Sequence, residues 1–127
     1  MQQNHLFEYA VVRVVPRVER EEFLNVGVIL YCSKLNFLQV MFSVDHERLR
    51  VFCGVLDTNE VEENLLAFER ICNGGEGAGP IGRLDIASRF RWLTATRSTV
   101  VQSSKVHPGF CMDAMETLDR LYRQLVL

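Results

Sequence analysis

At 127 residues and 48% hydrophobic content, the chain fits a single domain over residues 1–127 and has too much apolar sequence for disorder. No apolar run approaches the ~20 residues of a membrane-spanning helix, and a net charge of −2 argues against nucleic acid as a partner, which calls for a strongly basic domain. The charge is unevenly spread: residues 1–72 hold seven Lys/Arg against eleven Asp/Glu, and residues 73–127 hold seven against five.

The opening residues 1–5 have neither a positive flank nor an apolar stretch, so no signal peptide is expected and a cytoplasmic location is. Residues 8–15 are rich in β-branched side chains and read as the first strand. Alternation gives it one wholly apolar face, Ala10, Val12 and Val14, and places Arg13 on the other. Pro16 stops the strand, because proline cannot donate to the ladder. A charged loop, with Glu19, Glu21 and Glu22, leads to a second strand at residues 25–32. Alternation groups Val26, Val28, Leu30 and Cys32 on one face of it, and Gly27 marks a bend or a close approach. A turn at residues 33–36 and a third strand at 37–42 complete an antiparallel meander, since no helical pattern intervenes to allow a parallel crossover.

Ser43 or Asp45 caps a short helix that runs to Cys53. Asp57 or Thr58 caps a longer one, with Val61, Leu65, Phe68 and Cys72 as its apolar stripe. Residues 73–82 form a glycine-rich loop that matches G-x-G-x-x-G in letters only. It follows a helix, whereas the dinucleotide fingerprint follows a strand, so it reads as a flexible connector. A short helix over 84–93, a fourth strand over 98–103, a break at Pro108-Gly109 and a last helix headed by Asp113 complete the chain. The expected fold is α+β, an antiparallel sheet of about four strands with helices packed mainly on one face.

Candidate chemistry is concentrated late in the chain. Between Arg83 and Arg97 stand four arginines and one acid, Asp85. Guanidinium forks suit phosphate or carboxylate. Arg13, Arg91, Trp92, Arg97, Ser98 and His107 are the candidate ligand- or partner-binding residues, with Arg13, Arg91 and Arg97 expected to meet at one face of the sheet. The competing reading pairs the arginines with acids of the first half, notably the loop glutamates. Cys32, Cys53, Cys72 and Cys111 lack C-x-x-C spacing and read as buried apolar residues, with a reactive thiol as the alternative. His5, His46 and His107 lie far apart with no H-x-x-x-H spacing, so no metal and no cofactor is expected. A nucleophile at Ser98 or Cys111 served by His107 lacks an orienting third group, and no catalytic residue is assigned.

The runs 9–16, 22–28, 90–95 and 97–99 together resemble the small bacterial family of unknown function DUF3037 over nearly the whole chain. The resemblance marks Arg13, Asn25, Gly27, Arg91 and Arg97 as motif members and supplies no catalytic residues. Its members are often encoded beside kinases of the HipA type, which implies an accessory role. Two functional expectations follow. The first is a non-catalytic binding module for a protein partner such as a HipA-type kinase. The second is an enzyme or sensor that binds a phosphorylated small molecule or nucleotide through an arginine cluster. A homodimer is compatible with either.

Overall fold

The structure is a computed structural model and describes residues 4–95, 97 and 99–127. Its centre is strand β1 (His5–Val14), which is hydrogen-bonded along both edges. On one side lies β2 (Leu24–Cys32), followed by β3 (Phe37–Phe42). On the other, β4 (Val101–Ser103) and β5 (His107–Cys111) lie end to end along the same edge of β1. All four pairings are antiparallel, giving a five-stranded sheet.

Two features of the sheet depart from the sequence reading. The fourth strand is shorter than residues 98–103, and the segment containing Pro108 and Gly109 is a strand, not a break. The backbone explains why proline is tolerated. Val11 donates its N–H to the Ser104 hydroxyl and accepts from the Ser104 N–H, both at 2.8 Å. Val15 donates to the Val100 carbonyl at 2.6 Å. Odd-numbered residues of β1 therefore turn their backbone polar groups toward this edge. Their partners His107, Gly109 and Cys111 turn theirs inward. Pro108, opposite Glu8, points its missing donor outward, where no ladder bond is lost. At Gly109 the Phe7 ring fills the space of a side chain: a Cβ would come within 2.5 Å of its Cζ.

A bulge corrects the expected face of Val26. Val12 pairs with Gly27 and Arg13 with Asn25, which leaves Val26 as the extra residue. Val26 thus joins Ile29 on one face, while Val28, Leu30 and Cys32 occupy the other. Beside the bulge, β2 and β3 approach so closely that a Cβ on Gly27 would lie 2.7 Å from the Met41 carbonyl oxygen.

Three helices cover the first face. They are α1 (His46–Phe52), α2 (Thr58–Asn73) and α3 (Ile86–Leu93). Leu49, Val61, Leu65, Phe68, Phe90 and Leu93 pack there on Ala10, Val12, Val14, Val26 and Ile29. A single helix, α4 (Ala114–Leu125), covers the second face, with Ala114, Leu118 and Leu121 packed on Phe7, Val28, Leu30 and Cys32. The fold is α+β with helices mainly on one face. Aspartates fix the starts of α1, α2 and α4: Asp45 accepts from the Arg48 N–H, Asp57 from those of Asn59 and Glu60, and Asp113 from that of Glu116. The glycine-rich loop is not a plain connector. It makes two short 3-10 turns, Glu76–Ala78 and Ile81–Arg83, and its ends are tied by the Gly75 N–H to the Gly82 carbonyl at 3.1 Å.

Gly27→Ala is expected to destabilise the domain by about 1–3 kcal/mol, because the added methyl meets backbone of β3 that cannot retreat. Gly77→Ala, with open space around its Cβ position, serves as the neutral control. Chemical denaturation of the two variants measures the contrast; equal midpoints would show that the β2–β3 approach is looser than described.

Candidate functional site

The arginine-rich segment is carried by α3 and by the chain leading into β4. Helical rotation sends its side chains to different destinations. Arg89 turns inward and donates to the carbonyls of Ile71 and Cys72 at 3.0 and 2.8 Å, capping the C-terminus of α2 with a cation. It is structural. Next to it, burial pushes the Cys72 thiol up to about 12, an effect that the neighbouring Arg89 charge only partly offsets.

Arg91 lies on the opposite side of α3 and forms a 2.7 Å ion pair with Glu8 of β1. The expected acids of the loop are not its partners: Glu22 pairs with Arg20 in its own loop. Arg97 lays its guanidinium over the Trp92 ring, 3.8 Å from the centroid, and donates to the Trp92 carbonyl. Burial lowers its pKa. Ser98 lies outside the described residues.

Arg13 is on the other face. It shares the parity of Phe7 and Tyr9, which pack toward α4. Its guanidinium covers the Phe23 ring at 3.8 Å, no protein acceptor among the described residues reaches its buried Nε, and burial lowers its pKa. His107 belongs to the same face, its ring 5.4 Å from that of Tyr9. The expected convergence of Arg13, Arg91 and Arg97 therefore does not occur. The sheet separates Arg13 and His107 from Arg91, Trp92 and Arg97.

Of the second group, Trp92 and Arg97 border a groove of about 380 Å³ between α2, α3 and β4. Ala67, Phe68 and Ile71 of α2 form one wall, Trp92 and Leu93 of α3 another, and Val101 of β4 contributes from the sheet. Among the described residues Arg97 is the only charged one that lines it, and Asn64 and Thr99 add polar groups at its margins. The sequence reading found Trp92 and Arg97 but missed the wall from α2. Ala67 and Ile71 lie off the main apolar stripe of that helix, and this displacement was the available signal.

A further cluster was not anticipated. His46 at the start of α1 places Nδ1 2.7 Å from the Thr58 hydroxyl and Nε2 3.4 Å from a Glu62 carboxylate oxygen. Hydroxyl, imidazole and carboxylate follow one another as in a nucleophilic relay. Thr58 is only 8% exposed at the first turn of α2, so the contact ties the starts of two helices and presents no accessible nucleophile. No group of three or more His, Cys, Asp or Glu among the described residues is placed to hold a metal ion, and no helix is long and apolar enough to cross a membrane.

The Cys72 environment fixes a pH response. A thiol released by unfolding loses its proton near its ordinary value of 9.0, whereas the folded chain keeps it to about 12. Across that interval the unfolded state binds fewer protons, so stability falls as pH rises, by up to about 1.4 kcal/mol per pH unit from this group. Thermal melts of wild type and Cys72→Val between these limits are expected to show a steeper alkaline loss in the wild type. Parallel curves would show that the thiol is not held protonated.

No curated protein and no solved structure matches the chain. A family model described as protein of unknown function (DUF3037) matches residues 9–126, and the chain belongs to that family.

Proposed function

We propose that the chain is a non-catalytic binding module for a protein partner, and that the groove between α2, α3 and β4 receives an apolar segment of that partner. The supporting observation is the composition of the groove. Its walls are apolar and aromatic, and the one charged lining residue among those described, Arg97, is oriented by stacking on Trp92. Such a site takes a hydrophobic anchor in the floor and a carboxylate at the rim, where a charge-assisted hydrogen bond contributes about 1.5–3 kcal/mol. This reading is preferred to an enzyme or sensor for a phosphorylated small molecule, which would bring several guanidiniums to one anion. Arg13 lies across the sheet from Arg97, and Arg91 is engaged by Glu8. The family's association with HipA-type kinases makes such a kinase the first partner to test.

Trp92 is the only tryptophan of the chain, so its selectively excited emission, corrected for that of the added partner, reports on this groove. Titration with a HipA-type kinase from the same genome is expected to shift its emission. Ala67→Glu is expected to abolish binding, and Arg97→Gln to weaken it about tenfold to a hundredfold, at about 1.4 kcal/mol per decade. Both variants should keep the wild-type melting temperature. Full affinity in Ala67→Glu would exclude the groove as the contact. An ATP- or phosphate-dependent shift lost in Arg97→Gln, with no kinase binding, would favour a small anionic ligand.

A further inference from the structure

Independently of the groove, β5 presents an edge whose features fit a second copy of the same chain. Among the described residues β5 pairs with β1 alone. Because His107, Gly109 and Cys111 turn their backbone groups toward β1, Phe110 turns its N–H and C=O outward. Pro108 removes the neighbouring donor. The edge therefore has one residue able to form a two-bond pair, centred on Phe110. Apolar side chains surround that point. Phe110 is 69% exposed, its cross-strand partner Leu6 53%, and Met112, two residues further on, 56%. An unpaired edge flanked by exposed apolar side chains is one that soluble proteins ordinarily blunt or cover.

Charge decides what covers it. The segment begins with exposed Lys105 and His107 and ends with exposed Asp113 and Glu116. A strand that is basic at one end and acidic at the other is complementary to itself only when antiparallel. We propose that two copies of the chain pair antiparallel through β5 about a two-fold axis at Phe110, extending the five-stranded sheet to ten strands. In that register the two Phe110 residues exchange both backbone hydrogen bonds. Leu6, Phe110 and Met112 of each copy bury one another. Lys105 and His107 of each copy face Asp113 and Glu116 of the second, twice by symmetry. The missing donor of Pro108 confines the pairing to a short ladder, so side-chain burial and the charge ends supply much of the association.

Sedimentation equilibrium on the full chain tests this. Wild type is expected at the mass of two 14.6 kDa copies. Phe110→Lys is expected at the mass of one, with an unchanged circular-dichroism melt. Lys105→Glu should weaken the dimer, and adding Glu116→Lys should restore it. A Phe110→Cys variant provides a readout that survives any folding defect in Phe110→Lys. In a two-bond pair the Cα atoms lie about 5.5 Å apart, within the range a disulfide spans. Under a mild oxidant it should give a 110–110 intermolecular disulfide, identified by peptide mass spectrometry. A wild type that sediments as a single copy, a dimer that persists in folded Phe110→Lys, or a Phe110→Cys dimer without that cross-link would overturn the proposal.

Discussion

The double use of β1 is the constraint on which the rest of the molecule depends. Its backbone is hydrogen-bonded on both edges, and each of its faces contributes side chains to a core. Ala10, Val12 and Val14 are fully enclosed under α1, α2 and α3, while Phe7 anchors α4 on the reverse side. Each buried valine removes on the order of 1.5–3 kcal/mol worth of apolar surface from water. The middle of the strand, Ala10 to Val12, has no free direction for a polar group, and polar side chains stand nearer its ends, as at Glu8, which pairs with Arg91. The one cation it carries, Arg13, emerges near its end, where the Phe23 ring covers it. Elements that join β1 late in the sequence, β4 and β5, inherit its alternation. That is why Ser104 uses its hydroxyl in place of a ladder partner at the point where the two meet.

The arginines separate by the strength of what holds them. Arg89 makes two hydrogen bonds to carbonyls from a half-buried position, each a charge-assisted contact of about 1.5–3 kcal/mol, so it belongs to the scaffold. Arg91 pairs with Glu8 at the surface, where such pairs contribute about 0–1 kcal/mol and yield readily to a competing partner. Arg97 stacks on Trp92, an interaction of about 0.5–2 kcal/mol, and among the described residues only the Trp92 carbonyl accepts from its guanidinium. Magnitude, not proximity in the sequence, makes Arg97 the arginine suited to a contact with another molecule.

How much of this was legible in the sequence depends on how local the cause is. The strands of the meander, the aspartate caps and the apolar stripe of α2 follow from alternation, capping chemistry and helical period, and all were readable. Val26 was misplaced because a bulge shifts one residue in one strand, beside Gly27, where β3 passes close. Pro108 and Gly109 looked like a break because composition carries no information on which way a proline's missing donor points. The convergence of Arg13 with Arg91 and Arg97 failed for a topological reason. Helical period identifies which side of α3 is apolar, but not which face of the sheet that helix covers. The groove was half legible: Trp92 and Arg97 are conspicuous in sequence, whereas Ala67 and Ile71 acquire meaning only once α2 and α3 are neighbours.

The two proposed contact regions do not compete for space. Val101, at the groove, pairs with Val14, whereas Phe110, at the open edge, pairs with Leu6. These β1 positions are separated by eight residues, about 27 Å of extended strand at ~3.4 Å per residue. A second copy added to β5 would prolong the sheet at one end of β1 and leave the groove at the other end open. The two-fold operation would then present two identical grooves on one continuous sheet. A partner that is itself dimeric could engage both, and the second contact would form at the effective concentration set by that rigid span, not by the bulk solution. If both proposals hold, groove and edge-paired dimer would reinforce each other, since the sheet that orders β1 would also fix the distance between the two sites.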